Sequence, residues 1–217
     1  DQAEATGADL RLIGRDFCFE RTPSGWHWRG RAVRLADLPP PALKGEVQFL
    51  NAAAVLAALE ALAGRLPVPE AALREALATL TLPARFQVVA ERPLVVLDVA
   101  HNPQAAASFA STLAATAGAG ETYAVLGMLA DKDVEGVIRA VEAGIAHWLL
   151  CPLPGPRGLA ADALAARVRA AGARGDIELA ASPTEALARA RARACVDDRI
   201  AVFGSFLTVT DVLTHGL

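Results

Sequence analysis

A chain of 217 residues with 53% apolar and 21% charged side chains is long enough to bury a core in one large domain or two small ones. Its formal net charge of -3, with acids and bases interspersed, leaves no cationic stripe to track a phosphate backbone and argues against a nucleic-acid partner. Cys18, Cys151 and Cys195 are odd in number and outside any C-x-x-C spacing, which argues against a disulfide framework or a zinc site and fits a reducing cytosol; the chain also lacks a charge-free apolar run of bilayer length or a signal peptide, so no membrane partner is expected.

The chain begins at Asp1 and its one methionine is Met128, so a longer parent protein is expected. Residues 10 to 35 read as a hairpin: Phe17 and Phe19 alternate, Thr22-Pro23-Ser24-Gly25 turns, and Trp26 and Trp28 alternate on the return. "LADLPPPALKG" breaks regular structure, and "VQFLNAAAVLAALEALAG" then has the apolar spacing of a helix ending at Gly64. A second short helix is expected over residues 69 to 79, and "TLTLPARF" is the natural joint, which divides the chain into 1–82 and 83–217.

After that joint, apolar runs near 94–99, 123–128, 147–151, 177–180 and 199–204 alternate with helical stretches near 103–117, 133–143, 159–171 and 183–195. Short apolar strands alternating with helices predict β-α-β units and a mostly parallel sheet covered on both faces. Asn102 with Pro103, and Ser182 with Pro183 and Glu185, carry the residue types that open helices.

In such a sheet, ligands bind where strands end and helices begin. "LVVLDVAHNP" brings Asp98 and His101 to that position, although Asp98 as a loop brace and His101 as a surface residue fit the pattern equally well. "VLGMLADKD" ends in Asp131, Lys132 and Asp133, one of them a helix cap, and Lys132 and Lys44 are the only lysines in an arginine-rich chain. "VFGSF" offers the Ser205 hydroxyl and backbone donors to an anion, without the G-x-S-x-G frame of a nucleophile elbow. Arg85 in "LPARF" can grip a phosphate or carboxylate bidentately. Neither a dinucleotide fingerprint nor a G-x-x-x-x-G-K-[ST] phosphate loop occurs.

Taken in order, "LPPPALKGEVQFLNAAAVLAALEAL", "LPARFQVV", "VVLDVAHNPQAAASFASTL", "VLGMLADKDVEGVI" and "VFGSFLTVTDVL" resemble the second half of the folylpolyglutamate synthase/dihydrofolate synthase family of the Mur ligase superfamily. The resemblance covers nearly the whole chain and implies an α/β fold: a C-terminal Rossmann-like, mostly parallel sheet with flanking helices, preceded over 1–82 by the tail end of a central ATPase domain. It implies a cytoplasmic, monomeric enzyme that uses ATP and Mg2+ to join L-glutamate to dihydropteroate or a reduced folate through an acyl phosphate. The phosphate loop and metal ligands are expected in an N-terminal part, so the chain alone is expected to be inactive.

Matched residue by residue, Asn51, Arg85 and Asp98 stand at ATP-contacting positions, and His101 and Ser205 at glutamate-binding ones. No catalytic residue, metal ligand or role for Lys132 follows. Val47 stands where the family usually has His, and Ala84 where it usually has Gly. Another Mur-type amino-acid ligase, or a non-catalytic anion-binding α/β module, remains the alternative.

Overall fold

The alternation of Trp26 and Trp28 builds the predicted hairpin, and it does so inside the first of two compact units, Asp1–Thr81 and Leu82–Leu217, of a computed structural model that describes residues 2–116 and 120–217. The first unit contains α1 (Gln2–Thr6), β1 (Cys18–Thr22), β2 (Gly25–Arg29), β3 (Arg34–Leu38), α2 (Val47–Leu62) and α3 (Glu70–Thr79). β1, β2 and β3 form an antiparallel sheet in that order. Trp26, Trp28, Leu35 and Leu38 pack with Ala53, Leu56 and Ala57 of α2, and each indole N–H donates to a carbonyl, Trp26 to Pro39 and Trp28 to Ala53.

β3 corrects the expectation that regular structure stops at "LADLPPPALKG". Its register slips opposite Trp26 and Trp28, and Asp37 takes a left-handed φ of 51°, so Leu35 and Leu38 both face the core despite an odd spacing. The prolines that suggested a break lie just beyond the strand.

The second unit contains β4 (Gln87–Glu91), β5 (Leu94–Leu97), α4 (Pro103–Ala114), β6 (Thr122–Leu126), α5 (Val134–Val141), β7 (His147–Leu150), α6 (Ala161–Ala170), β8 (Asp176–Leu179), α7 (Pro183–Arg193), β9 (Arg199–Phe203) and α8 (Phe206–His215). The expected helix end at residue 117 lies outside the described residues. Six strands form one sheet in the order β4-β5-β9-β6-β7-β8, antiparallel between β4 and β5 and parallel elsewhere.

The strand side chains alternate between two cores, as a period of two requires. Val96, Ala124, Leu126, Trp148, Leu150, Ala201 and Phe203 pack with α4, α5 and α6. Val95, Leu97, Tyr123, Val125, Leu149, Ile200 and Val202 pack with α7 and α8 on the opposite face. Both faces are therefore covered, which is why the strands read as continuous apolar runs.

The expected caps are formed: Asn102 accepts from the Ala105 N–H at 2.9 Å and Ser182 from the Glu185 N–H at 3.1 Å. The Glu185 carboxylate accepts from the Ala181 N–H, one residue before the cap, so the box closes around a slightly longer turn. In the second unit the edge strand β4 goes beyond the sequence expectations, as does α8, whose β-branched residues obscure a helix that buries Thr208, Val209 and Val212.

Candidate functional site

The last strand, β9, inserts between β5 and β6 and leads into α8 on one face of the sheet, while β5 and β6 lead into α4 and α5 on the other, so the loops part at this point. The ladder continues past the strand ends: Asp98 N–H donates to Val202 O at 2.9 Å and Gly204 N–H to Ala100 O at 3.0 Å. Gly204 has a φ of +106°, and a Cβ there would lie 2.5 Å from Gly127 O. Thr208 ties α8 to the same place by donating to Gly127 O at 2.8 Å.

At these strand ends, His101, Lys132, Arg157, Gly204, Ser205 and Phe206 line a cleft of about 160 Å³. The imidazole Nδ1 of His101 lies 2.7 Å from Val99 O, and since a carbonyl can only accept, Nδ1 carries the proton and Nε2 is the ring nitrogen left for a ligand. Ser205 is buried and caps α8, accepting from the Leu207 N–H at 3.2 Å while its own O–H stays available to donate. The α8 N-terminus adds partial positive charge. Lys132 is half-buried and, among the described residues, its ammonium has no hydrogen-bond or ion-pair partner. The cleft thus favours a small anion.

His101 and Ser205 are brought together in this cleft; Arg85 and Asp98 stand beside it. Arg85 is exposed and sits between two left-handed residues, Ala84 at φ 58° and Phe86 at φ 44°. Hydrogen bonds fix that turn and the strand end behind it. Ala84 N–H donates to Gln87 Oε1 at 2.9 Å, Val99 N–H to Ala84 O at 3.1 Å, and Asp98 accepts from Phe86 N–H and Ala100 N–H at 2.8 Å each. The left-handed φ at Ala84 accounts for a glycine being the easier residue at this position. Burial pushes the Asp98 carboxyl above its ordinary value, against the opposing pull of the two N–H donors and Arg85.

Asn51 belongs to the first unit, on an exposed part of α2, where its Nδ2 donates to Gln48 Oε1 at 3.1 Å. Asp133, Asp131 and Lys132 divide their roles: Asp133 caps α5 by accepting from Gly136 N–H at 2.8 Å, Asp131 pairs with Arg157, and Lys132 faces the cleft. Arg157 is the cleft residue that the sequence reading missed. Its position after an apolar run, inside the turn-rich "PLPGPRG", placed it at a strand's carboxyl end all the same.

Among the described residues, no group of three or more His, Cys, Asp or Glu side chains can hold a metal ion, so the residues present do not fit Mg2+ and no step is assigned to one. The three cysteines are free. No helix among the described residues is long and apolar enough to cross a membrane.

Residues 84–206 match the family described as Mur ligase, glutamate ligase domain. The chain is similar to the dihydrofolate synthase/folylpolyglutamate synthase of Escherichia coli (strain K12), with 37% identity over 98% of this chain and 48% of that protein. Its fold matches the solved structure of E. coli FolC in complex with DHPP and ADP at a TM-score of 0.85 and 36% identity, over 98% of this chain and 48% of that one. It matches a bifunctional folylpolyglutamate synthase/dihydrofolate synthase with Mn, AMPPNP and L-glutamate bound at a TM-score of 0.84 and 36% identity, with the same coverage of 98% and 48%. The chain spans about half the length of the curated relatives it matches.

Proposed function

The chain belongs to the Mur ligase family, in its glutamate ligase domain, and from that premise we propose that it forms the carboxyl-terminal half of a cytoplasmic, ATP-dependent ligase that joins L-glutamate to dihydropteroate or to folates. The observation that carries this reading is the convergence of His101, Lys132 and Ser205 on one anion-favouring cleft at the α8 N-terminus. A relative whose structure holds L-glutamate supports it.

In the proposed reaction, a carboxylate oxygen of the acceptor attacks the γ-phosphorus of ATP, and ADP leaves. The neutral amine of glutamate then attacks the acyl carbon, the carbon–oxygen bond to phosphate breaks, and an amide and inorganic phosphate form as the amine proton passes to solvent. The cleft holds glutamate by its carboxylates, so that the amine is presented rather than free to diffuse. Arg85, on its hydrogen-bonded turn, supplies a guanidinium for phosphate oxygens. Asp98 acts on the nucleotide by holding that turn, and Asn51 is assigned an ATP contact by its place in the family motif alone. Mg2+ is held by residues outside this chain.

The test is ligase activity of the parent-length protein with ATP, L-glutamate and either dihydropteroate or tetrahydrofolate, in wild type and His101→Ala. Loss of activity in a folded His101→Ala protein supports the reading; full activity in that variant, or no activity with either acceptor in wild type, overturns it. The 217-residue chain alone is expected to be inactive, and ATP-dependent glutamate incorporation by it would refute that part.

A further inference from the structure

Arg157 reaches the cleft lining from the loop between β7 and α6, and that loop is stapled to the one after β6. Ala130 N–H donates to Arg157 O at 2.7 Å, Leu159 N–H to Met128 O at 3.1 Å, and Leu129 bridges Gly158. Gly158 has no room for a side chain, because a Cβ would collide with Leu153 O. The loop is therefore preorganised, and its one cation, Arg157, enters the cleft from a fixed backbone.

The Arg157 side chain is fixed as well. Nε lies 3.2 Å from Asp131 Oδ1 and Nη2 2.7 Å from Asp131 Oδ2, a bidentate fork that leaves Nη1 unpaired on a residue lining the cleft. The two side chains are 61% and 48% exposed, and so open a pair contributes little to stability. Its consequence is orientation: Asp131 turns a flexible cation into a donor with one direction. Asp131 is ion-paired to Arg157, whereas the adjacent Lys132 feels Asp131 only at a distance and forms no ion pair among the described residues.

Resting on the glutamate reading above, we propose that Arg157 is the specificity-determining residue for the second carboxylate of the amino-acid substrate, and that Asp131 is its positioning residue. His101, Ser205 and the α8 N-terminus serve one carboxylate, while Lys132 and the free Nη1 of Arg157 serve the other. A carboxylate accepts at both oxygens and satisfies both cations. The amide of glutamine turns an N–H₂ donor toward one of them and leaves that contact unmade. Lys132 supplies attraction for any anion, and Arg157 supplies the discrimination.

The test is calorimetric titration of the 217-residue chain with L-glutamate and with L-glutamine, in wild type, Arg157→Gln, Arg157→Lys, Asp131→Asn and His101→Ala, with thermal melts to establish folding. Arg157→Gln is expected to weaken glutamate by about tenfold to a hundredfold, the worth of one charge-assisted contact, while glutamine changes by less than about twofold. Arg157→Lys restores part of the preference, and Asp131→Asn lowers the glutamate-to-glutamine ratio without moving the melting temperature. An unchanged ratio in folded Arg157→Gln overturns the assignment and leaves the glutamate reading standing if His101→Ala has lost binding. Failure of wild type to bind glutamate overturns both.

Discussion

The Asp98 carboxylate and the Phe86 N–H, twelve residues apart in the chain, meet at 2.8 Å, and this contact joins the turn that presents Arg85 to the strand end that presents His101. The second oxygen of Asp98 accepts from Ala100 N–H, so one side chain sets the backbone on both sides.

Asp98→Asn keeps the shape but points an amide N–H₂ at one of those two donors. Urea denaturation at pH 7 is expected to show a loss of about 1–3 kcal/mol, the cost of one orphaned buried donor. The pH dependence has the less common sign. Burial raises the Asp98 pKa above 3.8, so the folded state binds the proton more readily than the unfolded one, and this group's contribution is largest below 3.8 and falls as pH rises through its folded pKa. The stability advantage of wild type over Asp98→Asn should therefore grow as pH is lowered from 7 toward 4; an advantage that shrinks would contradict the burial argument.

Gly204→Ala should destabilise the second unit by more than about 2 kcal/mol. Its φ of +106° lies beyond the left-handed well open to other residues, and the new methyl would press on Gly127 O. Thermal melting and glutamate titration of this variant should fail together, because Gly204 lines the cleft as well as closing the sheet.

Ala84→Gly should change stability by less than about 1 kcal/mol. Relief of a left-handed alanine, about 1 kcal/mol, is offset by the greater freedom of glycine in the unfolded chain and by the lost burial of a methyl group. Ala84→Val at the same φ of 58° should cost about 2 kcal/mol or more, since branching at Cβ worsens the same clash. Equal stability of the two variants would mean that the turn relaxes out of the left-handed region.

Glu135 of α5 and Arg167 of α6 pair at 2.7 Å through both oxygens, and the guanidinium holds the Glu135 pKa down to about 2. The folded state then binds fewer protons than the unfolded one between about 2 and 4.5, so this contribution is present above 4.5 and lost as pH falls toward 2. Both side chains are 31% exposed, and solvent screening keeps the effect below about 1 kcal/mol. Arg167→Met should be less stable than wild type by up to that much at pH 6, and the difference should shrink toward zero at pH 2, as read by guanidinium denaturation at the two pH values.

What could be read from sequence was what repeats locally. β5, β6, β7 and β9 announce themselves because burial on both faces makes each strand apolar after its first residue, and α4 and α7 because Asn102-Pro103 and Ser182-Pro183 carry their caps. β4 stayed hidden because it lies at an edge with exposed and half-buried residues, and β3 because Asp37 breaks its alternation. In the site, His101 and Ser205 followed from strand-to-helix junctions, whereas Arg157 depends on two loops being stapled together by backbone bonds that no local pattern encodes. Asp98 shows the limit from the other side: its place at the strand end is legible, but which groups its oxygens accept from depends on a turn twelve positions away.

The place of β9 in the sheet has a consequence for synthesis. β5 pairs with β4 and β9, and β6 with β7 and β9, so until residues 199–203 emerge from the ribosome the strands already made form two separate pieces, a hairpin and a three-stranded ribbon. The contacts that unite them span 105 residues between β5 and β9 and 77 between β6 and β9, a topology that folds slowly and late. The second unit is therefore completed only when β9 is in place, and the cleft, whose lining runs from His101 to Phe206, exists only once that strand has slotted into the gap.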